Sequence, residues 1–161
     1  MKIVELFLDK ISPKNIAYAH CDIPCGIYDP HNAQLAAHTI IRMTQFLQEI
    51  KREDETKAEH DVVRVTHVKE QHSNMLEEEL ETLRNDYFKK EIADKYPKLA
   101  GLFDQALKSS AKARTGIDME SAKETLETVM QIAEIFFESK GMGFTRVKSP
   151  YPTGLEIVVQ K

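Results

Sequence analysis

The chain has no tryptophan, only two cysteines, and six each of glycine and proline among 161 residues. Two cysteines cannot staple a disulfide scaffold. Few helix breakers together with 30% charged residues favour a helical protein. No apolar run approaches the roughly 20 residues of a membrane span. Positive charge is not in excess either, and a net charge of −4 argues against a nucleic-acid partner. What is present is one domain's length of chain, 42% apolar, which is long enough to build a core.

That apolar content recurs at helical spacing. Asp29 reads as a cap and Pro30 as a first helical residue, where its missing N–H costs nothing. Leu35, Ala36, Thr39, Ile40, Met43, Phe46, Leu47 and Ile50 then step by three and four up to the charged stretch 51–55. A second, long helix carries Val62, Val65, Val68, His72, Met75, Leu76, Leu80, Leu83 and Tyr87 on one stripe, with Glu77, Glu78, Glu79 and Glu81 as a solvated face. Tyr96-Pro97 breaks it, because the residue before proline avoids helical geometry. A third helix carries Leu99, Leu102, Phe103, Ala106 and Leu107, with a loop expected over 113–116. Asp118 caps a fourth, which buries Ala122, Leu126, Val129, Ile132, Ala133 and Phe136 and stops at Gly141. The expected fold class is all-α, an antiparallel four-helix bundle preceded by a metal-binding hook and followed by a short C-terminal extension. In that extension Pro150, Pro152 and Gly154 break structure, and residues 155–159 favour a single strand that packs on the bundle, pairs with another subunit or stays mobile.

The chemistry gathers at residues 20–30. Cys21 and Cys25 are separated by three residues, and His20 precedes the first. Ala17-Tyr18-Ala19 has the form of a leader-cleavage site, but the apolar part of the leader is short, Glu5 interrupts it, and Asp9 and Lys10 follow. Residues 1–19 are therefore expected to be a pro-segment removed in the cytoplasm rather than an export signal. The segment carries Lys2, Lys10 and Lys14 against Glu5 and Asp9, so its loss takes the chain from −4 to −5. Cleavage before His20 would free an amine. The amine, the deprotonated Cys21 amide and the two thiolates can then lie in one plane, with the His20 imidazole axial. Pro24 and Gly26 encode the turn this needs. Two nitrogens and two sulfurs in a plane suit Ni(II) or Cu(II) better than tetrahedral Zn(II).

The run His20-Cys21-Asp22-Ile23-Pro24-Cys25-Gly26-Ile27-Tyr28-Asp29-Pro30 resembles the mature amino terminus of the nickel superoxide dismutases. The runs at 68–71, 86–89, 95–97 and 135–140 are also similar, so the likeness spans residues 20–140. The resemblance implies nickel as cofactor, superoxide as substrate, a homohexamer and a maturation peptidase. It implies His20, Cys21 and Cys25 as ligands, Tyr28 at the catalytic pocket, and Asp22, His72 and Tyr87 around it. Two positions depart from the family pattern. A glutamate and an arginine usually hold the axial imidazole, and Ala36 and His72 stand in their places.

Plainer readings stand beside these. His72 also reads as a satisfied interior histidine and Tyr28 as a packing residue. His31, His38, His60 and His67 read as surface or interface residues, and Met43, Met75 and Met130 as core filler. The main rival function is a helical protein holding zinc or copper in a non-catalytic His-Cys-Cys site. A further rival is a helical interaction protein with a redox-labile cysteine pair.

Overall fold

The structure, a computed structural model, describes residues 25–161. The pro-segment, His20, Cys21 and Asp22 lie outside the described residues. Helix α1 spans His31–Glu49. Asp29 accepts from the His31 N–H at 2.8 Å, while Pro30 stands one place earlier than expected, as the capping residue itself. The buried face of α1 is broader than the apolar pattern suggests. Ala33, Ala36, Ala37, Ile40 and Ile41 are inside, together with polar Gln34, His38 and Thr44. Leu35 and Phe46, expected inside, are 36% and 37% exposed.

Helix α2 spans Glu55–Thr82 and starts on Asp54, which accepts from the Lys57 N–H at 3.0 Å. Its buried line is Ala58, Lys69, Ser73, Leu76 and Leu80. The line is therefore rotated from the expected stripe, and Met75 is 46% exposed. Lys69 is buried because its ammonium donates to the Gly116 carbonyl at 2.5 Å, and Ser73 is satisfied by the Lys69 carbonyl at 3.0 Å. Burial pushes the Lys69 pKa down, partly offset by the neighbouring Glu70 carboxylate. Residues Leu83–Tyr87 continue as one π-helical turn, closed by Phe88 N–H to Leu83 O at 2.8 Å. A wide turn of this kind reorients the residues that follow and is common at functional sites.

A single turn, α3 (Lys90–Ala93), leads to α4 (Leu99–Thr115). The loop expected from 113 is helical to Thr115, because Ala113 is fully buried and holds the last turn in place. Helix α5 (Met119–Ser139) starts on Asp118, which accepts from the Ser121 N–H at 3.0 Å and the Ser121 hydroxyl at 2.6 Å. It stops as expected at Gly141. With φ at +68°, Gly141 donates to Glu138 O at 2.9 Å, and Met142 donates to Phe137 O at 2.9 Å. This is a Schellman stop, and the left-handed φ is what glycine tolerates best. Helix α1 packs most widely on α2 and α5, and α4 packs on α5. The shared core includes Ile40, Ile41, Leu76, Leu80, Phe103, Leu126 and Ile132.

The extension corrects an expectation. It holds two strands, β1 (Phe144–Lys148) and β2 (Glu156–Gln160), which pair antiparallel with Arg146 opposite Val158. The molecule is thus mostly helical with an added hairpin, rather than all-α with a lone strand. Val158 reaches the core at 1% exposure.

Candidate metal centre

Residues 25–30 run without regular structure into α1. Cys25 is exposed, Gly26 has φ at +72°, and Ile27 is 73% exposed. The left-handed Gly26 turns the chain immediately after the thiol, and among the described residues no atom crowds the place of a Cβ there. Tyr28 is half-buried and anchors the segment. Its ring lies 5.6 Å from that of Tyr87 at an interplanar angle of 51°.

Tyr87 is delivered by the π turn and packed on three sides. Its ring meets Phe88 at 4.8 Å and Phe136 at 4.7 Å. The Lys140 ammonium lies 5.4 Å from the Tyr87 ring centre and 4.5 Å from that of Phe136. The Tyr87 hydroxyl is 2.7 Å from Ser139 Oγ. Tyr96 belongs to the same neighbourhood. Burial first, then the Glu138 charge and Tyr87, raise its phenol pKa above the ordinary value. On the other side of Tyr28, a cavity of about 110 Å³ is lined by Ile27, Tyr28, Asp29, Asn32, Glu79, Thr82 and Leu83. Asn32 donates to Glu79 across it at 3.1 Å, tying α1 to α2 beside the segment.

The structure therefore brings Tyr28 and Tyr87 together and sets Cys25 three residues ahead of them. His72 lies elsewhere on α2, seven residues before Glu79, which is about 10 Å along the helix axis. It is half-buried and its Nδ1 bonds the Val68 carbonyl at 2.9 Å, a contact within its own helix. Ala36 is a core methyl at 1% exposure and has no polar side-chain atom to offer an imidazole. Among the described residues no group of three or more His, Cys, Asp and Glu side chains gathers. A thiolate on an exposed, glycine-turned segment fits a soft or borderline metal held by adjacent residues of one loop.

Asn32, Glu79, Ser139 and Lys140 were not singled out by sequence reasoning. Ser139 and Lys140 lay inside the similar run at 135–140, without any role attached. His38, read as a surface or interface residue, is buried at 3% exposure under the hairpin. Among the described residues no helix is long and apolar enough to cross a membrane.

An exposed thiol segment backed by a tyrosine pair at one end of a mostly helical body makes the class a helical protein with a candidate metal centre at that end. Comparison with known proteins then gives the family. Residues 15–140 match the family described as nickel-containing superoxide dismutase. The superoxide dismutases [Ni] of Streptomyces seoulensis and of Streptomyces coelicolor are each 33% identical over 129 residues, covering 80% of this chain and 94% of theirs. The native nickel superoxide dismutase structure matches with a TM-score of 0.67 and 31% identity, over 75% of this chain and 99% of that one. A structure with the nickel ligation of the oxidised state matches with a TM-score of 0.69. The chain belongs to the nickel-containing superoxide dismutase family, and it is an oxidoreductase that acts on superoxide with nickel as its cofactor. The hairpin, from residue 141 onward, lies outside the family match.

Proposed function

We propose that the chain is the precursor of a nickel superoxide dismutase that matures by loss of residues 1–19. His20 then supplies amine and imidazole, Cys21 its amide nitrogen and thiolate, and Cys25 the second thiolate, around one ion per chain. Nickel, when bound, would supply one-electron exchange between two oxidation states, so that one superoxide gives up an electron to become dioxygen and the next, taking that electron and two protons from water, becomes hydrogen peroxide. The observation that best supports this reading is the placement of Cys25, exposed beyond the Gly26 turn and tethered through Tyr28 to Tyr87. Donors on such a segment can close around an ion without rearranging the four long helices, which we take to be an antiparallel bundle.

The residues of this chain have distinct tasks in the reaction. Tyr28 would order water or the incoming anion beside the centre, and Tyr87 holds Tyr28. Asp22 belongs beside the hook. His72 is the candidate partner for the His20 imidazole, because Ala36 has nothing to offer one. From its place in the helix it meets the imidazole only if the mature hook reaches along α2. Superoxide is an anion and the protein is net acidic, so attraction has to be local. Lys140, above the Tyr87 and Phe136 rings, supplies that positive charge. The assembly is a homohexamer, and maturation by a peptidase takes place in the cytoplasm.

The decisive experiment is intact mass and metal analysis of the chain produced together with its maturation peptidase. A mass beginning at His20 with about one nickel per chain and dismutase activity is expected. Zinc in a tetrahedral site, or nickel that does not cycle, would sink the reading in favour of a non-catalytic zinc or copper protein.

A further inference from the structure

We propose that Ser139 is a positioning residue of the centre, locking the tyrosine on which Tyr28 rests. The inference builds on the metal-centre reading above, but its geometry stands entirely within the described residues. A serine hydroxyl has one proton to give. Ser139 Oγ lies 2.7 Å from the Phe136 carbonyl, which can only accept, so the proton goes there. The 2.7 Å contact with the Tyr87 hydroxyl is then donated by the tyrosine. The direction of both bonds follows from the carbonyl.

That direction has a consequence. The Tyr87 phenol is committed as a donor toward the end of α5, and its ring plane is held between Phe88 and Phe136 with Lys140 above. Ser139 itself cannot drift. It is the last residue of α5, and the Gly141 stop fixes that turn through Gly141 to Glu138 and Met142 to Phe137, each 2.9 Å. A rigid series therefore runs from the helix stop through Ser139 and Tyr87 to Tyr28, and it ends three residues from Cys25. Ser139 touches neither ligand nor substrate and acts through Tyr87.

The test uses three variants and two readouts. In the full chain without nickel, nuclear Overhauser contacts between the Tyr28 and Tyr87 rings are expected to weaken in Ser139→Ala and to persist in Ser139→Thr. In trimmed, nickel-loaded enzyme, Ser139→Ala is expected to lower kcat/KM by about fivefold, the size of one neutral hydrogen bond, with kcat and nickel content changed less. Ser139→Thr restores the rate. Ser139→Val has the shape of the threonine variant without its hydroxyl, so a folding defect shared by both is steric, and the difference between them still reads the hydrogen bond. Unchanged ring contacts and unchanged kcat/KM in both Ser139→Ala and Ser139→Val overturn the inference. Wild-type trimmed protein that fails to dismutate superoxide would overturn the proposed function instead, leaving the ring-contact comparison to stand or fall alone.

Discussion

Two segments lean on helix α1, and they are held in opposite ways. The amino-terminal segment 25–30 holds the candidate metal centre; Tyr28 meets the Tyr87 ring and Asp29 caps α1, with Cys25 and Ile27 exposed. The hairpin carries no known chemistry and is fastened several times over. The Gln34 amide makes a closed pair with Val158, donating to its carbonyl at 3.0 Å and accepting from its N–H at 2.7 Å. His38 Nε2 lies 3.1 Å from the Glu156 carbonyl, so it bears the proton, and Nδ1 accepts from the Thr153 hydroxyl at 2.7 Å. Arg146 reaches Glu127 through both terminal nitrogens, at 2.9 and 3.0 Å, and Glu134 through Nε at 2.7 Å. The contrast teaches that stability and reactivity are kept apart here. In the proposed centre the reactive thiol sits on an exposed segment, while the appended hairpin is fixed by the polar pairs of Gln34, His38 and Arg146.

The contrast breaks most sharply at Cys25. Cys25→Ser is expected to abolish nickel-dependent dismutation while the thermal midpoint of the metal-free chain moves little, because the side chain is exposed. Activity, metal content and melting on one preparation check it, and retained turnover would remove Cys25 from the ligand set. Next in size is Gln34→Ala, which leaves the buried Val158 N–H and carbonyl unpartnered. A loss of about 2–4 kcal/mol in unfolding free energy is expected, with activity per bound nickel preserved. Denaturant melts measure the loss, and a large fall in specific activity would show that the two segments are coupled after all.

Acid should also separate the two ends. Burial pushes the His38 pKa below its ordinary value, and the Glu156 carbonyl only partly offsets this. The hollow that His38 lines also holds Arg42, Tyr151 and Thr153, with no carboxylate side chain to welcome an imidazolium. The unfolded chain therefore takes up this proton first. The stability contributed by neutral His38 is complete above about pH 6.5 and is lost as pH falls through that value toward the lower folded pKa. Protection factors at Ile157 and Val158, with the intrinsic pH dependence of exchange divided out, should fall on acidification, and His38→Gln should flatten that response. The smallest effect is expected at Arg146→Ala, about 1 kcal/mol, because the ion pairs are partly exposed (30% for Arg146 and 46% for Glu127) and solvent screens them. For the same reason added salt should weaken the wild type toward the variant.

Much of the helical body could be read from residue spacing. Asp118 and Gly141 bound α5 as capping chemistry requires, and the break at Tyr96-Pro97 falls between helices. Polar residues hid the rest. Lys69 and Ser73 sit in the buried line of α2, because a helix-end carbonyl and a backbone carbonyl satisfy them, and nothing local announces such partners. Gln34 and His38 are buried only because a hairpin more than a hundred residues away covers them. The first strand was missed because Phe-Thr-Arg-Val-Lys alternates too briefly to stand out without its partner. At the candidate site, the hook motif singles out Cys25 and Tyr28, and the structure places Tyr28 against Tyr87. Ser139 and Glu79 become visible only once the π turn and the α1–α2 packing place them beside a tyrosine.

The left-handed glycine at 141 does more than end a helix. A stop of this geometry sends the emerging backbone off at a set angle, here back over the flank of α5 and onto α1. Whatever is joined downstream of such a joint inherits a landing place before it contributes any affinity of its own.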